Sequence, residues 1–312
     1  MKTIIQVCVL LVLLVNCTNK NKTISQIAKG KQNYTTNVNL CVQNNKISND
    51  WIKAITIRHS EKFIDSLSQV ERTLTKEEIE WYKLVNSRAP QWNQLKDSLK
   101  VPFGDIYIND TTYVYLGYQG HDDAFTYKYQ TVCFNLTALV KEYGSAKQAK
   151  NKIRMDRFFA HEYTHLLSKE WAKQTEQNLK TFKDSILWEC MYEGLGMYRS
   201  MSDKWFPKGD SLSTVADKTF ETLYPIFTER LITIETSENL TQDDKIRLHK
   251  NLSRGSMKKK WGALPVAVWL AMESKGNDKN LIPWIKMGSK ALIPLAKKYL
   301  TGKSKIKFKK VF

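Results

Sequence analysis

Apolar residues change their spacing several times along this chain, and each change marks an element. Residues 4–15 are almost all apolar. A run of about a dozen is too short to cross a bilayer and fits the core of an export signal. From 18 to about 49, Asn, Lys, Thr and Gln dominate, and few large apolar side chains occur. That composition predicts a flexible tether. Residues 51–99 read as helical. Thr75 followed three residues on by Glu78 has the form of a capping box, and Ile79, Tyr82 and Val85 follow at helical spacing until Pro90 interrupts.

Between 101 and 136 the pattern becomes β-rich. Ile106-Tyr107-Ile108 and Tyr113-Val114-Tyr115-Leu116 flank the turn-like Asn109-Asp110-Thr111, and Thr131-Val132-Cys133-Phe134 forms a third run. These predict a small antiparallel sheet. From about 145 the period is helical again. Ala149, Ile153, Phe158, His161, His165 and Leu166 belong to one long helix, and a second covers 183–199. Later helices are expected at 215–234, 242–252, 263–274 and 281–300, with Pro265, Pro283 and Pro294 starting or kinking them. The expected class is α+β and mostly helical: a small antiparallel sheet, then two helices, then a helical C-terminal lobe. The expected organisation is a signal peptide at 1–17, a tether at 18–49 and one domain at 50–312. Within that domain the sheet and first helices take about 101–200 and the lobe 201–312.

Composition supports a folded domain. The chain has 312 residues, 42% of them hydrophobic, with nine Trp and fourteen Tyr to fill a core. The net charge of +18 would attract polyanions, but the Lys residues are spread out and match no nucleic-acid motif. A Lys-rich soluble surface is expected, with no specific nucleic-acid partner. Cys41, Cys133 and Cys190 have no metal-ligand spacing and are too few for a disulfide framework. The leading apolar run ends in Leu14-Val15-Asn16-Cys17, which resembles a bacterial lipobox, although Asn16 stands where a small residue is usual. That resemblance implies lipidation at Cys17 and a membrane-tethered cell-envelope lipoprotein; ordinary secretion and an uncleaved anchor are the other outcomes. No later stretch offers 18 consecutive apolar residues.

The chemistry concentrates in His161-Glu-Tyr-Thr-His165. Residues four apart on a helix differ by about 40° in azimuth and stack one turn above the other, so two imidazoles can share one ion. Glu162 points to the side of that face, placed to act as general base on a metal-bound water. A chance match to this pattern in a chain of this length has odds of roughly one in a few hundred. A catalytic zinc needs a third protein ligand. His59, His121 and His249 lack a suitable spacing, whereas Glu189 and Glu193 lie one turn apart on the next helix.

Glu193-Gly194-Leu195-Gly196-Met197-Tyr198, downstream of the His pair, resembles the gluzincin group of metallopeptidases, with Gly196 where Ala is common. The whole also resembles uncharacterised bacterial predicted zinc proteases. The resemblance implies one catalytic Zn2+ held by His161, His165 and Glu193, with Glu189 as an alternative ligand or a residue orienting a His. It implies a zincin-like site helix and hydrolysis of a peptide or protein substrate, with Glu162 as base. It also implies a strand pairing with substrate, from Tyr113–Tyr118 or the region Phe125–Tyr129. The oxyanion partner would come from Tyr198, Tyr224 or His249. Gly194 and Gly196 would let the second helix approach the first, at roughly 1 kcal/mol of helix propensity each. The alternative is a catalytically inactive, peptidase-like binding lipoprotein. The retained Glu162 argues against it, because a binding module needs no general base.

Overall fold

The computed structural model describes residues 33–56, 61–68, 70–120 and 122–312. The expected signal peptide, Cys17, the first part of the tether, His59 and His121 lie outside the described residues.

The second part of the expected tether is a strand. Thr35–Leu40 (β1) pairs in parallel with Thr111–Gly117 (β4), from Thr35 opposite Thr111 to Leu40 opposite Leu116. Its Thr and Asn side chains gave the polar composition that suggested a tether. A strand needs only backbone partners and one covered face, and Tyr34, Thr36 and Cys41 are buried. Val42–Gln43 (β2) and Lys46–Ile47 (β3) form a tight hairpin. Asn44 and Asn45 turn it with φ of 48° and 63°, the left-handed pair that two-residue hairpins demand.

Asn49–Thr56 (α1) and Glu61–Ser68 (α2) precede Lys76–Lys100 (α3). Both halves of the Thr75–Glu78 capping box form. Pro90 does not interrupt α3, contrary to expectation. The buried face Trp81, Val85, Trp92 and Leu99 runs straight past it, so packing outweighs the one lost backbone bond. Ile106-Tyr107-Ile108 is not a strand. Its backbone is taken by a side chain: Gln174 accepts from Tyr107 N at 3.0 Å and donates to Tyr107 O at 2.6 Å.

Ala124–Tyr127 (β5) and Thr131–Asn135 (β6) complete a four-stranded sheet in the order β1-β4-β6-β5. The sheet is mixed rather than antiparallel. β4 runs parallel to both β1 and β6, and only the β5–β6 hairpin is antiparallel. β6 inserts between β4 and β5, which leaves β5 at the edge.

The rest is helical: Leu136–Tyr143 (α4), Ala149–Gln174 (α5), Phe182–Ser200 (α6), Thr214–Thr236 (α7), Gln242–His249 (α8), Ala263–Ser274 (α9), Ile282–Lys286 (α10), Leu292–Tyr299 (α11) and Gly302–Phe308 (α12). The single helix expected over 281–300 is two short ones separated by a 3-10 turn at Gly288–Ala291. α5 packs on α3, α6 and β5, and α6 packs on α9. Apolar α9, with Trp269 fully buried, sits at the centre of a core that runs unbroken from β4 and β6 to α11. Sheet and helical lobe therefore share one interior. A smaller core lies under α1, around Trp51, Tyr118 and Phe125. Among the described residues, no helix is long and apolar enough to cross a membrane.

Candidate metal centre

The motif helix α5 is seated by its aromatic face. Phe159 stacks on Trp92 of α3 at 4.4 Å between ring centroids, and Tyr163 stacks on Phe159 at 5.5 Å. This turns His161, Glu162 and His165 toward α6 and a cavity of about 600 Å³. α6 starts at Thr181, whose hydroxyl accepts from Asp184 N, and it carries Glu193 to the same place.

Three donor atoms converge. His161 Nε2 lies 2.9 Å from His165 Nε2, and Glu193 Oε2 lies 3.8 Å and 3.6 Å from these two nitrogens. His161, His165 and Glu193 thus form a group that can hold a metal ion. Gly196 makes room for it. A Cβ there would stand 2.9 Å from His165 Cε1 and 3.1 Å from His161 Nε2. Gly194 has another role than expected. A Cβ on it would meet Val266 Cγ1 of α9 at 2.4 Å, so it permits the α6–α9 crossing rather than the approach to α5.

The surroundings fix the protonation needed for ligation. His161 Nδ1 lies 3.0 Å from Ser200 Oγ, which itself lies 3.4 Å from Met197 O. A hydroxyl donating to that carbonyl accepts from Nδ1–H, which leaves the Nε2 lone pair facing the centre. Burial, and next the neighbouring His165, lower the His161 pKa to about 3, so the imidazole is neutral. Burial pushes the Glu193 carboxyl up, but hydrogen bonding and charge from His165, with His161 and Lys260, outweigh it and hold the pKa at about 2. Two imidazoles and one carboxylate suit a divalent cation. Tyr192 lies flat on His165, with centroids 4.0 Å apart and planes 12° from parallel.

Glu162 is buried and lines the same cavity. So do Ala124, Phe125 and Thr126 of edge strand β5. Lys169, one turn beyond His165, donates to Thr126 Oγ1 at 2.7 Å and ties that strand to the motif helix. The far wall is the segment between α8 and α9, through Ser253, Arg254, Met257 and Lys260. Burial pulls the Lys260 ammonium below its ordinary pKa, against the opposing charges of Glu193 and Asp123.

Several sequence-based candidates fall elsewhere. Glu189 is not in the donor group. Its oxygens are engaged by His249 Nδ1 at 3.2 Å and Ser253 Oγ at 3.3 Å. It therefore orients neither imidazole of the donor group, and it explains where His249 is held. Tyr198 donates to Asp278 at 2.8 Å, and Tyr224 accepts from Trp269 Nε1 at 3.0 Å. None of Tyr198, Tyr224 and His249 lines the cavity. Tyr113 to Gly117 lie on β4, between β1 and β6, whereas Phe125 lies on β5, at the end of the sheet. Sequence reasoning missed Ser200, Tyr192, Lys169 and Lys260. Ser200 was within reach, since it lies seven residues after Glu193 and so two helical turns along the same face. Comparison with family models, curated proteins and solved structures finds no match.

Proposed function

We propose that this protein is a zinc-dependent peptidase with Glu162 as its general base. The observation that carries the reading is the donor triangle with Glu162 beside it in one cavity. The circle through the three donor atoms has a radius of about 2.0 Å, against zinc–nitrogen and zinc–oxygen bonds of about 2.0–2.2 Å. His161, His165 and Glu193 would hold the ion. Three protein ligands leave a position open, the mark of a catalytic rather than a structural zinc.

Zinc bound there supplies a Lewis acid that polarises a carbonyl and acidifies water. The Glu162 carboxylate takes a proton from the attacking water and passes it to the departing amine. β5 is the last strand of the sheet and lines the cavity, a position that suits an extended peptide adding as a further strand. Ser200 holds the His161 ring in the ligating tautomer. The apolar leader and Cys17 favour a site outside the cytoplasm on a lipid tether, which Cys17→Ala would release from the membrane fraction.

The test joins zinc content to turnover of a peptide library. Glu162→Gln keeps one zinc per chain and loses about 10²–10⁴-fold in kcat. His161→Ala, His165→Ala and Glu193→Ala lose the zinc. Equal turnover by the wild type and Glu162→Gln would refute the mechanism. Full zinc retention in Glu193→Ala would refute the ligand set.

A further inference from the structure

Residues of the segment 250–262 line the cavity that Glu162 lines, and backbone hydrogen bonds fix that segment. Its two ends are laced together. Trp261 N donates to Asn251 O at 3.0 Å, while Gly262 N and Ala263 N donate to Leu252 O at 3.1 Å and 3.0 Å. Between them Lys260 N donates to Met257 O at 3.2 Å, and Lys260 O accepts from Leu264 N at 3.1 Å, where α9 begins. The next side chain, Trp261, is fully buried against Phe227. Gly262 lets the neck lie against α6, because a Cβ there would stand 2.7 Å from Cys190 Sγ. Lys260 thus projects from a fixed backbone, whose neighbour Gly262 lies against Cys190, three residues before Glu193 on α6.

Its ammonium is half-buried, lines the cavity with the donor triangle, and makes no hydrogen bond or ion pair among the described residues. Several other polar groups of the cavity are placed differently. Lys169 is bound to Thr126, the Tyr143 hydroxyl to Asp123, and Arg254 is exposed. A half-buried cation beside a site, in no hydrogen-bonded ion pair among the described residues, is placed to meet negative charge that arises during reaction.

We propose that Lys260 is the electrophilic residue that receives the oxyanion during peptide hydrolysis. This rests on the peptidase reading. As the water oxygen bonds to the scissile carbon, the carbonyl π pair moves onto its oxygen, and the Lys260 ammonium donates a hydrogen bond to that oxygen without giving up its proton. When the carbonyl re-forms, the C–N bond breaks and the amine leaves with the proton carried by Glu162. Lys260 is then a catalytic residue, and its contribution lies in kcat rather than in KM.

The test uses the full-length protein loaded with zinc, and compares Lys260→Met, Lys260→Arg, Tyr192→Phe and Glu162→Gln. Lys260→Met is expected to keep one zinc per chain and lose about 10²–10³-fold in kcat with KM little changed. Lys260→Arg restores part of it. By calorimetry, Lys260→Met also binds a phosphonamidate dipeptide, whose charged oxygens imitate the oxyanion, at least 10-fold more weakly than the wild type. If Glu162→Gln is inactive while Lys260→Met keeps its kcat, the Lys260 assignment fails and the peptidase reading stands. A loss of kcat in Tyr192→Phe with none in Lys260→Met would move the role to that hydroxyl. If Lys260→Met only raises KM, and only for peptides with a free C-terminal carboxylate, Lys260 is a carboxylate grip and the proposal is overturned. If Glu162→Gln turns over like the wild type, the underlying reading fails first.

Discussion

Lys96 is fully buried behind the motif helix, and its removal should change how stability depends on pH. Its ammonium donates to Thr35 O of β1 at 2.9 Å and lies 5.5 Å and 5.6 Å from the Tyr34 and Tyr163 ring centres. Burial, opposed by Asp110, brings its pKa from 10.5 down to about 7. The folded chain therefore binds fewer protons than the unfolded chain between pH 7 and 10.5. Stability must rise with pH across that window, and the penalty for the buried charge is complete below pH 7. The full penalty is about 4–5 kcal/mol, at about 1.4 kcal/mol per factor of ten in proton affinity. From pH 7.5 to 9 the linkage integral gives a gain of about 2 kcal/mol. Lys96→Met removes that gain. It also leaves Thr35 O without its donor, at a cost of about 1–3 kcal/mol. Tyr34 and Tyr163 change little between pH 7.5 and 9: burial pushes both phenols up in the folded chain, and the unfolded phenols titrate only at about 10, where they oppose the slope. The assay is urea denaturation of both proteins at pH 6, 7.5 and 9, followed by Trp fluorescence with slopes checked for equality. The wild type should gain about 2 kcal/mol on the variant between pH 7.5 and 9. Parallel pH curves would show that the buried ammonium is not the titrating group.

Three further perturbations test the helix packing and the metal site. Gly194→Ala drives a methyl within 2.4 Å of Val266 Cγ1, and should cost about 1–3 kcal/mol of overpacking, less about 1 kcal/mol of helix propensity. Adding Val266→Ala should recover part of that loss in a denaturation double-mutant cycle. Gly196→Ala presses on both imidazoles and should weaken zinc about 10–100-fold by calorimetry, as displaced ligand rings do, with little change in the metal-free midpoint. Zinc at about 100 times its Kd should raise unfolding stability by about 2.7 kcal/mol, chelation should reverse this, and His165→Ala should abolish it.

The helices were legible because their information is local. The 263–274 period gave α9 to the residue, and the Thr75–Glu78 pair gave the start of α3. Where local signals conflicted with packing, packing decided. Pro90 sits inside an unbroken helix, and Ile106–Ile108 is held by Gln174 rather than by a strand. The parallel pairing of β1 with β4 joins segments about 75 residues apart, and nothing in a polar stretch like 35–40 announces such a partner.

The same division runs through the site. His161, Glu162 and His165 are one helical turn, so the sequence alone set their geometry relative to each other. Glu189 and Glu193 also share a helix face, and there the sequence left both open. The rotation and depth of α6 chose between them. Gly194 against Val266, and Cys190 against Gly262, fix that helix so that Glu193 meets the imidazoles while Glu189 meets His249 and Ser253. Ser200, Tyr192 and Lys260 join the site only through that docking. Hydrophobic period and capping are properties of neighbours in the chain, and these the sequence determined. Which carboxylate, which cation and which sheet edge face the donors depends on close packing between distant segments, and only the tertiary structure decided that.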